Sequence, residues 1–332
     1  MPVRPSETTG RPASILDHAR EPDGQTGALP LLVCLLLLIA AAGDAAHGAP
    51  PAIPCGSASA APRAPGAVPH LRRVVVIVME NKSCRDVIGS PEAPYLNRLA
   101  RRYAFASRYF ALTHPSLPNY LGITGGSTFG VSSDCTDCPV RAGNLVDQLE
   151  RAHVSWKAYM EGMPRPCFRG AESERYVKRH DPFLSYVDVA SSPSRCRRVV
   201  PLTQLSVDIA RHALPRFVWI TPDLCHDMHS CPVRHGDRFL ARLVPRLLRA
   251  VGARGAIFLT WDEGDDMAGC CGRAAGGNVA TIVAGPAARP GGRSGLAYDH
   301  YSLLRTIEEA FGLPRLRGAA CPCARSLAAF LR

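Results

Sequence analysis

Three apolar runs in this sequence lead straight into side chains that could hold a cation. Glu80-Asn81 follows VVVIVM (74–79), and Asp262-Glu263 follows AIFLTW (256–261). FVWIT (217–221) leads into a cluster of Asp223, His226, Asp227 and His229. Carboxylates brought to one place repel each other unless a cation joins them or some stay protonated. Oxygen-rich ligation suits Ca²⁺, Mg²⁺ or Mn²⁺, and added imidazole admits Zn²⁺ or iron. Any one acidic pair alone would read as a helix cap or a solvated loop. Two acidic pairs at equivalent strand ends point instead to a divalent cation of unassigned identity.

A nucleophile candidate lies in HPSLPNYLGITGG (114–126), where Ser116 stands near the start of a predicted helix. Free N–H groups and the positive end of the helix dipole favour an anionic ester there. Beside a metal, the hydroxyl can ionise and attack phosphorus. Read in isolation, Ser116 would be an ordinary capping serine. His114, His226, His229 and His300 are the imidazole candidates, able to protonate a leaving alkoxide or hydrogen-bond a phosphoryl oxygen. His229 lies in CHDMHSC between two cysteines, and His300 opens a helix after a Gly-rich loop, so these two rank above His114.

The elements that must position these groups read as alternating strands and helices. Short β-branched runs at 74–79, 154–160, 217–221, 256–261 and 279–285 have the character of buried parallel strands. Helical spacing appears at 94–105, 144–152, 236–251 and 300–313, with Pro245 a predicted kink and Gly312 a predicted terminator. This alternation predicts an α/β, three-layer sandwich over a mostly parallel sheet. In such sheets ligands bind beyond the carboxyl ends of the strands, which is where the acidic pairs fall.

Residues 31–42, LLVCLLLLIAAA, have the length of a secretory apolar core and are short for a membrane span of about 20 residues. The reading is a signal peptide and upstream segment over 1–49, a Pro/Ala-rich linker over 50–69 and one catalytic domain over 70–332. An uncleaved anchor is the variant reading, since the segment before the apolar run is not positively charged. Without Cys34, twelve of the 13 cysteines remain, an even number that suits disulfides in an exported chain. Cys135/Cys138 and Cys225/Cys231 read as local loop staples. The net charge of +11 comes from 36 arginines and three lysines, and no basic run of nucleic-acid type occurs. Anionic partners are favoured in general, with no nucleic acid expected. Oligomeric state is not legible.

These stretches resemble the bacterial phosphoesterase family that includes non-haemolytic phospholipases C and a group of acid phosphatases, related in fold to alkaline phosphatase. The resemblance rests on VVVIVMENKS (74–83), APYLNRLA (93–100), HPSLPNYLGITGG (114–126), CHDMHSC (225–231), GDRFL (236–240), FLTWDEGDD (258–266) and YDHYSLLRTIEEAFGLPRL (298–316). It implies that Glu80 and Asn81 serve the metal and the phosphoryl oxygens, that Ser116 is the nucleophile and a metal neighbour, and that Asp262 and Glu263 complete the metal site. His229 and His300 match family positions without a division of labour. Cys84-Arg85-Asp86 departs from the family pattern, so contacts beside the first ligand pair differ. The implied activity is that of a secreted, metal-dependent phosphatase working through a phosphoseryl intermediate on a phosphate ester. A phospholipase C acting at a phospholipid surface and an inactive binding protein of the same fold are the alternatives.

Overall fold

The computed structural model describes residues 54–58 and 66–332. The predicted signal segment over 1–49, and the rest of the predicted linker, lie outside the described residues. Among the described residues, ten strands form in chain order: β1 (Arg73–Met79), β2 (Ala104–Phe110), β3 (Trp156–Met160), β4 (Glu172–Ser173), β5 (Tyr176–Val177), β6 (Val199–Pro201), β7 (Phe217–Thr221), β8 (Gly255–Trp261), β9 (Asn278–Ala284) and β10 (Tyr298–Asp299). Eight of them make one sheet in the order β10-β2-β9-β8-β1-β7-β3-β6, and β4 pairs with β5 in a separate ribbon.

The apolar runs without alternation become the middle of the sheet, because both of their faces are covered. All residues of β7 and β8, and all of β1 after Arg73, are buried. β9 runs antiparallel to β2 and β8, while every other pairing in the large sheet is parallel. The carboxyl ends of β1, β7 and β8 therefore share one edge. The architecture is the α/β sandwich expected from the alternation, with a mostly parallel central sheet.

The predicted helix over 94–105 ends earlier, at Arg102, and Ala104–Phe110 forms β2 instead. The Val233–Ala250 helix carries Pro245 inside it. The helix at His300–Phe311 ends on Gly312 in the left-handed conformation, as its C-cap glycine predicts. Among the described residues, no helix is long and apolar enough to cross a membrane.

Among the described residues, six disulfides join Cys55–Cys84, Cys135–Cys138, Cys167–Cys196, Cys225–Cys231, Cys270–Cys271 and Cys321–Cys323. The two local staples read from spacing are among them. Cys55–Cys84 and a 2.7 Å bond from the Gly56 N–H to the Ser107 carbonyl fasten residues 54–58 to the domain.

Candidate active site

Strand register brings the acidic groups together. β1 and β8 pair with Met79 opposite Trp261, so the next residues, Glu80 and Asp262, emerge side by side. The Asp262 N–H donates to the Met79 carbonyl at 2.9 Å and the Glu80 N–H to the Asp227 carbonyl at 2.9 Å, extending the edge to the loop after β7. Asn81 follows with a φ of 51°, a left-handed conformation that asparagine tolerates better than most residues. In that conformation its N–H donates to Asp262 Oδ1 at 3.1 Å.

Ser116 is the first residue of the Ser116–Gly125 helix. The chain entering that helix is held by Asn119, whose Oδ1 accepts from the Leu112 and Thr113 N–H groups at 2.9 and 3.2 Å. The Asn119 amide in turn donates to the Thr113 and Pro115 carbonyls at 2.7 and 3.2 Å. Held this way, the buried Ser116 hydroxyl donates to Glu80 Oε2 at 3.1 Å. The Tyr120 hydroxyl, one turn along the same helix, donates to Glu80 Oε1.

His180 completes the cluster, and sequence reasoning missed it. It arrives on a single 3-10 turn after β5, with no strand end or metal-type spacing to mark it. Its Nε2 lies 3.3 Å from Glu80 Oε2 and its Nδ1 3.6 Å from Asp227 Oδ2. The ring stacks on Tyr120 with centroids 5.7 Å apart. Asp227 was one of several acidic and imidazole groups after β7, and the structure selects it from that cluster.

The electrostatics of this arrangement are unfavourable as they stand. Burial, then repulsion from Asp262 and Asp227, pushes Glu80 well above the usual carboxylate range. Burial pushes Asp227 up likewise, against a hydrogen bond from the His229 N–H. Burial lifts Asp262 to about 6, although bonds from Ser116 and the Asn81 N–H hold it down. Burial also pushes His180 well below the usual imidazole range. His180 Nε2, Asp227 Oδ2 and Asp262 Oδ2 are buried without a hydrogen-bond partner. Ligand atoms of Glu80, His180 and Asp227 lie within 4.8 Å of one another. Unpartnered oxygens and an unpartnered imidazole nitrogen around one point are what a divalent cation would satisfy, so the donor set fits one.

The other predicted residues surround this cluster. Glu263 is pushed up to about 9 by burial and by its neighbours Asp262 and Asp134. Its Oε2 sits 3.0 Å from His114 Nδ1, and His114 Nε2 donates to the Asp266 carbonyl at 3.1 Å. His114 therefore reaches the site edge despite its lower ranking. His229 is half-buried at the rim, 5.9 Å from the His180 ring between centroids, with Nδ1 3.0 Å from Ser230 Oγ. His300 is fully buried behind Asp262. Its Nε2 donates to the Asp262 carbonyl at 2.5 Å, and its Nδ1 accepts from the Tyr109 hydroxyl at 3.1 Å. Both ring nitrogens are thus engaged by protein, a geometry for holding Asp262 in place. His226 turns aside to Glu161 Oε1 at 3.0 Å and stacks on Phe239. A cavity of about 690 Å³ beside Glu161, His226 and Phe239 has none of Glu80, Ser116 or Asp262 in its wall.

Sequence comparison places this geometry in a family. The profile of the Phosphoesterase family matches residues 89–314. The chain belongs to the phosphoesterase family. Phosphatidylinositol-3-phosphatase of Mycobacterium tuberculosis is 30% identical over 256 residues, covering 76% of this chain and 81% of the relative. A phosphate-repressible acid phosphatase of Penicillium chrysogenum is 28% identical over 232 residues, covering 67% of this chain and 55% of the relative. The chain thus spans most of the mycobacterial relative and little more than half of the fungal one. A solved protein of the alkaline phosphatase superfamily from Vibrio parahaemolyticus shares the fold with a TM-score of 0.52 at 11% identity, over 78% of this chain and 72% of that one. This phosphoesterase family member is a hydrolase of phosphoric esters.

Proposed function

We propose that the protein is an exported phosphatase in which Ser116 is the nucleophile and a divalent cation is held by the buried acidic cluster. The observation that carries the reading is the Ser116 hydroxyl at a helix start, 3.1 Å from Glu80, beside buried carboxylate oxygens that have no protein partner. Glu80, Asp227, Asp262 and His180 would hold the cation, with Asn81, Ser116 and Glu263 flanking it. A cation there supplies positive charge that stabilises the serine alkoxide and the phosphoryl oxygens.

Ser116 Oγ passes its proton to Glu80 Oε2, which accepts its hydrogen bond, and attacks phosphorus in line, forming the Oγ–P bond as the bond to the leaving oxygen breaks. His229, at the rim, is placed to give the leaving oxygen its proton. Water then attacks phosphorus, giving a proton to His229 as the phosphoseryl bond breaks, and Glu80 returns the hydroxyl proton to Ser116. Asn81 favours the equatorial oxygens. Tyr109 and His300 keep Asp262 in register from behind.

The substrate class is a phosphomonoester. The name of the mycobacterial relative, a phosphatidylinositol-3-phosphatase, puts a monoester carried on a lipid headgroup in the substrate set. Export is supported by six disulfides.

The reading is tested by Ser116→Ala in the purified protein, assayed with a soluble aryl phosphate and with vesicles containing phosphatidylinositol 3-phosphate. Loss of turnover on both, with an unchanged circular-dichroism spectrum, is the expected result. Wild-type turnover in that variant would overturn the nucleophile assignment. Metal analysis of the wild-type protein, with add-back of single cations after chelation, tests the cluster separately.

A further inference from the structure

One charged group, bonded to the amide that follows the nucleophile, has no place in the reaction just described. Asp134 directly precedes the Cys135–Cys138 staple. Its Oδ1 accepts from the Leu117 N–H at 2.9 Å, the amide that directly follows Ser116 at the start of its helix. Its Oδ2 lies 3.7 Å from Arg179 Nε. Its charge acts on Glu263 and on His229. Arg179 and Lys82 are the cations acting on His229 from the same rim. A carboxylate therefore stands at a helix-start amide where an oxygen of a phosphoryl group on Ser116 would seek a donor. The same carboxylate offsets the charge of Arg179.

We propose that Asp134 is a specificity-determining residue that weakens the site's hold on doubly charged phosphoryl groups relative to singly charged ones. The inference rests on the placement of the reacting phosphorus at Ser116. Repulsion from one fixed carboxylate scales with the charge on its neighbour. A phosphomonoester or inorganic phosphate, mostly a dianion at neutral pH, is opposed about twice as strongly as a phosphodiester monoanion. For the product, this repulsion favours release, so the residue trades affinity for turnover.

The test is Asp134→Asn, which keeps an oxygen acceptor for the Leu117 N–H and removes only the charge. Competitive inhibition by inorganic phosphate and by an aryl methyl phosphodiester is measured against a soluble aryl phosphate at neutral pH. The inhibition constant of inorganic phosphate is expected to fall about tenfold, and that of the phosphodiester by no more than about threefold. An unchanged constant for inorganic phosphate, or equal changes for both ligands, overturns the proposal. Asp134→Ala supplies a control. If it lowers the melting temperature while neither variant alters phosphate inhibition, Asp134 is a helix cap and the proposal fails. Ser116→Ala separates this failure from that of the underlying reading. An inactive Ser116→Ala with unaltered phosphate inhibition in Asp134→Asn refutes only the role of Asp134. An active Ser116→Ala refutes the placement on which that role depends.

Discussion

At the scale of single residues, the site is a set of buried groups that are poorly satisfied by protein alone. Three carboxylates and one imidazole converge, and three of their polar atoms lack a partner. Such a cluster is unstable unless protons or a cation resolve it. Asp227→Asn is therefore expected to weaken metal binding by about tenfold or more, read by competition with a chromogenic chelator. Unchanged affinity would remove Asp227 from the ligand set. His180→Gln is expected to weaken binding as well, while His229→Gln, at the rim, should leave it unaltered and lower the rate on poor leaving groups most. Much of this was legible from residue order. Glu80, Asn81, Asp262 and Glu263 announce themselves by following apolar strands, and Ser116 by its helix start. His180 was not legible, because it follows a two-residue strand on a short 3-10 turn and meets Glu80 only through tertiary packing. The role of His300 also needed coordinates, since a helix-opening histidine can face either the ligand or the backbone behind it.

At the scale of elements, what matters is how tightly the strand ends and their connections are held. β1 and β8 are fixed by an uninterrupted parallel register that sets Glu80 against Asp262. The loop before Ser116 is held by Asn119 and by close approach of Gly276, where an added Cβ would lie 2.5 Å from the Thr113 carbonyl oxygen and 2.6 Å from its nitrogen. Both are backbone atoms and cannot swing away. Gly276→Ala is expected to cost about 1–3 kcal/mol in denaturant unfolding and to lower activity further by displacing the Thr113–Ser116 segment.

A second clamp lies away from the site. Asp208, on the Thr203–Ala210 helix, receives Lys157 Nζ and the Tyr159 hydroxyl from β3 at 2.6 Å each, and the Gln204 amide at 3.0 Å. Burial alone would raise its pKa, but these donors outweigh burial and depress it. A depressed carboxylate stabilises the fold above its unfolded pKa and loses that contribution as pH falls through the folded value. Asp208→Asn is thus expected to cost about 1–3 kcal/mol at neutral pH, with the gap to wild type closing below about pH 4. A gap that stays constant down to strongly acidic pH would contradict the clamp. Sequence pattern gave the central strands well, because unbroken β-branched runs mean burial on both faces. It failed at β2, where the helical spacing of 94–102 runs on without a break signal into Ala104–Phe110. It also could not show that β9 is reversed, since an apolar run looks the same in either direction.

At the scale of the whole molecule, stability is shared between a sheet core and covalent ties. Cys55–Cys84 closes a separation of 29 residues and anchors residues 54–58 to the segment just after Ser83. Replacing both cysteines by serine is expected to cost about 2–4 kcal/mol, measured by denaturant unfolding. A cation bound to the folded state alone should raise the melting temperature in proportion to the logarithm of its concentration, and chelation should lower it. The membership of the chain in the phosphoesterase family accounts for the order of its motifs, and the parallel sheet explains why motifs far apart in sequence converge on one edge. The account is tested most directly by trapping the covalent intermediate. Wild-type protein mixed with an aryl phosphate and quenched in acid within the first turnover is digested and its phosphopeptides mapped. The prediction is one stoichiometric phosphoserine, at Ser116, absent from Ser116→Ala. Phosphate on a different residue, or full turnover with no trapped phosphoprotein at any quench time, would contradict it.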